Sequence, residues 1–150
     1  FDESNQSYTG SEEVYFLGFQ SNPYPLLSRA KLLIMTSRWE GLPIALLEAM
    51  ALGVPGTISN CSDGIRKAWQ VEDCKSQLEL PENQWTSFGA LVSGVDNNDK
   101  TMNVWVVAIR RLLEDGVLYD QCSQASKTRS KDFDIKSVLD FWKRKVLAKD

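Results

Sequence analysis

Apolar and polar residues along this chain fall into short blocks whose period changes from one block to the next. Val14 to Phe19 (VYFLGF) is an apolar and aromatic run with the length of a buried strand. Asn22-Pro23-Tyr24-Pro25 predicts a short helix ending near Ala30, because proline is tolerated in a first turn. Leu32 to Thr36 (LLIMT) is again continuously apolar, which suits a central parallel strand covered on both faces. After a loop from Ser37 to Leu42, Pro43 opens a helix that Gly53 closes, the usual placement of these two residues at helix ends. Val54 to Ser59 reads as a third strand, followed by a loop and a helix over about 64–69. Residues 71–88 have no clear period and read as an insertion or a long connection. Phe88 to Val92 (FGALV) is a fourth strand.

From Lys100 onward the period is helical. Val104, Trp105, Ala108, Ile109, Leu112 and Leu113 fall on one face, with Arg110 and Arg111 beside it. A second helix is predicted over about 117–129. A last one follows Asp134, with Ile135, Val138, Leu139, Trp142 and Val146 as its apolar stripe. Residues 1–13 are polar and read as an irregular lead-in, which leaves 14–150 as the folded unit. Strands alternating with helices predict an α/β layered domain with a mostly parallel sheet.

The helix after Pro43 raises a chemical question. In PIALLEAMAL nearly every position is apolar, so the helix is expected to be buried on most sides, with Glu48 in its middle. An ionised carboxylate in such a place is costly unless it is paired or hydrogen-bonded. The plain alternative puts Glu48 on a narrow exposed strip. Glu40 precedes the same helix, in the loop after a strand, and ligands of open parallel sheets bind outside the carboxyl ends of the strands. The helix start, from Gly41 to Ile44, offers free N–H groups and the positive end of the helix dipole, a seat for a diphosphate. Eight residues at ~1.5 Å of rise each separate the two carboxylates by on the order of 10 Å, about the span from a ribose to a sugar across a diphosphate. Carboxylates also accept hydrogen bonds from neighbouring hydroxyls of a sugar ring.

Composition narrows the field without changing this picture. A length of 150 residues fits one domain with a real core. The sequence contains no histidine, so neither a Ser-His-Asp triad nor a Cys-His pair can be assembled from this chain alone. A net charge of −3 gives no electrostatic case for nucleic acid as a partner. Cys61, Cys74 and Cys122 are odd in number and lack C-x-x-C spacing, which argues against a disulfide framework or a zinc site and suits a reducing cytosol. No run of eighteen apolar residues and no secretory signal is present. The chain starts at Phe1, which suggests a fragment or a processed piece.

Glu40-Gly41-Leu42-Pro43 through Glu48-Ala49-Met50-Ala51-Leu52-Gly53-Val54-Pro55 strongly resembles the E-x7-E signature of family 4 retaining glycosyltransferases with the GT-B fold. E-x7-E alone is a weak pattern; embedded in SRWEGLPIALLEAMALGVP it is specific. The similarity extends over most of residues 14–145, through Val14 to Phe19, Pro25 to Lys31, the Gly89 to Val92 strand and the helix ending Leu112-Leu113-Glu114-Asp115. The resemblance implies a truncated Rossmann-like three-layer domain, the C-terminal donor-binding half of such an enzyme, with its N-terminal strands missing. It implies that Glu40 contacts hydroxyls of the donor sugar and is the catalytic residue, and that Glu48 contacts the ribose. Backbone amides around Gly41, Leu42, Pro43 and Ile44 would face the diphosphate. The donor would be a UDP- or GDP-sugar and the acceptor a glycan or a lipid-linked glycan held by an N-terminal domain. Retention of anomeric configuration would follow, with no divalent metal and no further cofactor. The location would be cytoplasmic, at the inner face of a membrane, in polysaccharide or glycolipid assembly.

The chain also departs from that family. Lys67 stands near a position where members often carry glutamate, and two earlier strands with basic diphosphate-gripping residues are missing. With the usual strand order, those strands would lie between 14–19 and 32–36, and the fragment alone is expected to be inert. Two rival readings are a noncatalytic nucleotide-binding or interaction module and a GT-B sugar-nucleotide epimerase.

Other signals have plainer readings beside them. Asp132-Phe133-Asp134 spells D-x-D, a metal-nucleotide motif in the other large glycosyltransferase fold, but it stands where an N-cap is needed. Ser37 and Ser62 are candidates for phosphate-loop hydroxyls, against ordinary turn roles. Trp39 either stacks on a ligand or packs under its loop. Lys127, Arg129 and Lys131, with Lys143, Arg144 and Lys145, form either a contact to anionic lipid or a solvated helix face.

Overall fold

The computed structural model describes residues 14–71, 83–94 and 98–147. The sheet is built on the two apolar runs that carry the most buried residues. Strand β2 (Gly56–Ser59) and strand β4 (Gly89–Val92) are buried at every position, as expected where both faces of a parallel pair are covered. Strand β1 (Leu33–Met35) pairs with β2 in parallel, and β2 pairs with β4 in parallel, Thr57 opposite Ala90 and Ile58 opposite Leu91. Strand β3 (Asn83–Thr86) is antiparallel to β4, which gives the order β1-β2-β4-β3. This is a mostly parallel, Rossmann-like α/β sheet. The lead-in at 1–13 and most of the expected insertion, 72–82, lie outside the described residues. The end of that insertion is β3, which folds back on β4 as a hairpin. Its polar sequence, Asn-Gln-Trp-Thr, gave no period to find.

Helices cover both faces, so the layering is threefold. On one face α2 (Ile44–Leu52) and α3 (Asp63–Ala68) bring Leu46, Met50, Ile65 and Trp69 against Ile58, Phe88 and Leu91. Helix α5 (Gly116–Ser130) closes over this cluster through Ala125. On the other face α4 (Asp99–Glu114) lays Trp105 and Ala108 on Ala90 and Val92. Successive residues of β4 therefore serve opposite cores, as the two-residue period of a strand requires. The predicted stripe of α4 holds at Trp105, Ala108 and Leu112, which are buried; Leu113 lies at its edge and is half exposed.

The ends of the elements follow local chemistry. Ser62, Asn98 and Asp115 cap α3, α4 and α5, accepting from the N–H groups of Ile65, Thr101 and Leu118. Gly53 ends α2 at φ 73°, a left-handed conformation that costs glycine nothing, and the Val54 N–H donates to the Ala49 carbonyl at 2.8 Å. Arg129 reaches from α5 to the exposed end of α3, donating to the carbonyls of Ala68 (3.0 Å) and Lys67 (2.9 Å).

Four expectations need correction. Residues 14–19 form no strand, and Val14, Tyr15, Phe16, Leu17 and Phe19 are all exposed. An apolar run supplies side chains for a core but not the second ladder that a strand needs. For the same reason β1 is not central; it pairs only with β2 among the described residues, and Ile34 is half exposed. The helix expected from Asn22 to Ala30 is the single turn α1 (Tyr24–Leu27). Finally, α6 (Ile135–Trp142), which continues as a π-helical turn over Lys143–Leu147, carries its expected stripe uncovered: Ile135, Val138, Leu139 and Trp142 are all exposed.

Candidate functional site

All three parallel strands end at the same edge of the sheet, and the loop 36–43 lies there, between β1 and α2. Two ties fix it. The Ser59 hydroxyl, at the carboxyl end of β2, donates to the Ser37 carbonyl. From the start of α3, the Ser62 hydroxyl donates to the Gly41 carbonyl at 2.7 Å. Between them Gly64 packs so close that a Cβ there would stand 2.8 Å from the Gly41 carbonyl carbon and 3.0 Å from the Leu42 nitrogen. The loop thus rests on the backbone of α3, and only a residue without a side chain allows it.

Within this frame Glu40 is held by one neighbour. The Ser37 hydroxyl donates to Glu40 Oε1 at 2.7 Å, and Glu40 is half-buried. A serine hydroxyl has one proton, so Ser37 acts here on Glu40. Pro43 is extended (ψ 125°) and serves as the N-cap of α2 without a side-chain hydrogen bond. The carbonyl of Pro43 accepts from Leu46 and Leu47, whereas the N–H groups of Gly41, Leu42, Ile44 and Ala45 have no hydrogen-bond partner among the described residues. Helix termini leave such donors unsatisfied, and they attract anions.

Glu48 sits four residues past Ile44, about one turn into the helix, and its environment differs from the one expected. Helix α2 buries Leu46, Ala49 and Met50 and leaves Ala45 and Ala51 exposed, with Ile44 at 71% exposure. Glu48 therefore lies on the border of the open face, half-buried and not enclosed. The burial argument for Glu48 fails, because an apolar composition says how much could be covered and not whether anything covers it. What the structure supplies instead is a partner. Tyr24 Oη, on α1, donates to Glu48 Oε1 at 2.9 Å, and this bond with the carboxylate charge holds the phenol pKa above its ordinary value. No sequence spacing pointed to that pair, which is separated by 24 residues.

The other signals resolve by contact. Trp39 is 83% exposed, so it does not pack under the loop. Ser62 takes the capping role. Asp134 caps α6 through the Ser137 N–H at 2.7 Å, which lowers its pKa, and Asp132 pairs with Arg129 at 2.6 Å. The D-x-D is thus a cap and an ion pair. Lys67 is exposed and contributes its carbonyl to Arg129. Arg66, one residue earlier, donates to Asn60 Oδ1 at 2.8 Å and pairs with Asp63, tying the loop after β2 to α3. Cys122 is buried, which pushes its thiol pKa up and makes it a poor nucleophile. Among the described residues no helix is long and apolar enough to cross a membrane.

A mostly parallel sheet between helices, with a tied-down loop at the carboxyl edge of its parallel strands, places the chain in the Rossmann-like α/β class. Residues 1–129 match the model of glycosyl transferases group 1, and the chain belongs to that family. It is 28% identical over 142 residues to an uncharacterized glycosyltransferase of Methanocaldococcus jannaschii, covering 87% of this chain and 34% of that protein. It is 27% identical over 123 residues to the N-acetylgalactosamine-N,N'-diacetylbacillosaminyl-diphospho-undecaprenol 4-alpha-N-acetylgalactosaminyltransferase of Campylobacter jejuni, covering 82% of this chain and 28% of that enzyme. A shorter match, 37% over 59 residues, is to the lipopolysaccharide 1,6-galactosyltransferase of Salmonella typhimurium, covering 37% of this chain and 16% of that enzyme. The chain thus spans about a third or less of the length of these relatives.

Proposed function

We propose that this chain is the donor-binding part of a retaining, metal-independent glycosyltransferase that takes a sugar from a nucleoside diphosphate sugar. The observation that carries the reading is the open start of α2. N–H groups at Gly41, Leu42 and Ile44, without a partner among the described residues, lie in the segment from Glu40 to Glu48 that follows the carboxyl end of β1. The diphosphate rests on these amides and on the helix dipole, which favour the negative charge that grows on the leaving group as the sugar departs. Glu48 accepts from the ribose hydroxyls. Glu40, fixed by Ser37, accepts from the sugar hydroxyls and holds the anomeric carbon in line for the acceptor. Gly41, Leu42 and Ile44 serve through their backbones, and Pro43 sets the angle at which the helix begins.

A glycan or lipid-linked acceptor is the expected second substrate, supplied from a part of the protein beyond this chain. The diphospho-undecaprenol named for the C. jejuni relative supports that substrate class. Calorimetry with UDP, GDP and their sugar derivatives tests the reading. Glu48→Ala is expected to weaken bare nucleoside diphosphate by about 1–3 kcal/mol, the scale of a lost charged hydrogen bond. Glu40→Ala is expected to spare bare nucleotide and weaken only the sugar-bearing donor. Equal losses for both ligands in both variants would refute the division of roles.

A further inference from the structure

We infer that Tyr24 is a positioning residue for the nucleotide, acting through Glu48; the inference rests on the donor-site reading above. Glu48 lies on the half-open face of α2, where a carboxylate is free to rotate among several directions. The Tyr24 hydroxyl removes that freedom by occupying Oε1 at 2.9 Å, while Oε2 has no partner among the described residues. A carboxylate offers about four lone-pair sites, so one oxygen bound to a phenol still leaves the group able to accept from two neighbouring hydroxyls.

Tyr24 is itself held in place. Its N–H accepts no freedom either, since it donates to Asn22 Oδ1 at 3.2 Å, and prolines on both sides restrict the backbone. The first turn of α1 is therefore a short, stiff mount for one hydroxyl. The contact lies outside the core: Tyr24 is 50% exposed and belongs to neither cluster of buried residues. A stiff mount outside the buried core, aimed at a carboxylate beside an open helix start, is what pre-orienting a ligand contact requires. The ligand chemistry follows from the acceptor it orients: a vicinal diol, here the 2′ and 3′ hydroxyls of the ribose.

The test is a double-mutant cycle by calorimetry, with UDP and GDP as probes and the 2′-deoxy form of whichever binds. Tyr24→Phe removes only the hydroxyl and is expected to raise the Kd about three- to tenfold, the range of one hydrogen bond. In the Glu48→Ala background the same change is expected to have no further effect, because Tyr24 has nothing left to orient. The 2′-deoxy nucleotide is expected to lose less than the ribonucleotide on Tyr24→Phe. A purely structural tyrosine would weaken both nucleotides alike and would add to Glu48→Ala. Full additivity in the cycle, or a Tyr24→Phe variant that binds as tightly as the unchanged protein while Glu48→Ala does not, would overturn the inference and leave the donor site standing. Failure of the unchanged protein to bind either nucleotide would overturn both.

Discussion

The clamp between α3 and the site loop can be tested with one methyl group. Gly64 lies in α3, and its φ is outside the left-handed region, so alanine suits its backbone and on propensity alone would stabilise the helix by up to about 1 kcal/mol. The structure predicts the opposite sign. An added Cβ falls inside contact distance of the Gly41 carbonyl oxygen, 2.8 Å from its carbon and 3.0 Å from the Leu42 nitrogen. Ordinary Cβ contacts begin at 3.4 Å, so the loop must retreat by roughly half an ångström or more, and backbone atoms cannot swing aside as a long side chain would. Overpacking of this kind costs about 1–3 kcal/mol, which leaves a net loss on the order of 1–2 kcal/mol after the propensity gain. For a chain of this length that is a fall in Tm of about 2–8 °C, measurable by thermal denaturation.

The same retreat moves the N–H groups of Gly41 and Leu42 and stretches the 2.7 Å bond from Ser62 to the Gly41 carbonyl. Nucleoside diphosphate affinity should therefore fall together with stability, by severalfold in calorimetry, although residue 64 is not itself among the proposed ligand contacts. Ser62→Ala is the companion variant: it loses both the cap of α3 and the tie to Gly41, about 1–2 kcal/mol, without any clash. A Gly64→Ala protein that melts at or above the unchanged temperature with undiminished affinity would refute the clamp.

Further outcomes follow from the core and the caps. Leu112→Ala should cost about 2–5 kcal/mol in a denaturant titration because Leu112 is fully buried, whereas Leu113→Ala, one residue along and half exposed, should cost far less. Asp134 has its pKa lowered from 3.8 by the backbone N–H of Ser137, so the stability it adds is whole above that ordinary value and is lost as pH falls through the lower folded value. Asp134→Asn keeps a good cap at neutral pH and should remove that part of the acid dependence, which a pH series of melts would detect.

How much of this was legible beforehand depended on the range of each interaction. Pro43 and Gly53 marked the ends of α2 because capping is decided within one turn. Glu40, Gly41 and Glu48 were marked by the motif around them, and the loop after β1 was marked by the strand-loop-helix order. The stripe of α4 was visible for the same local reason. Ser37 and Ser62 were visible only as serines in loops; the Ser37–Glu40 bond and the Ser62 cap each span three residues, but the tie from Ser62 to Gly41 joins segments 21 residues apart.

What the sequence by itself determined, then, is the α/β alternation, the strands that became β2 and β4, the ends of α2, and the loop carrying Glu40 ahead of the helix carrying Glu48. These rest on side-chain periodicity and short-range hydrogen bonding, both of which are written in consecutive residues. Only the tertiary structure decided what each apolar run does: 14–19 forms no strand, β1 pairs only with β2 among the described residues, β3 returns on β4, and Ile135, Val138, Leu139 and Trp142 of α6 lie open. It also decided the state of Glu48, which is neither enclosed nor alone but bonded to Tyr24. Burial and pairing are relations between distant segments, and an apolar sequence states a capacity for them that only the assembled neighbours can fill.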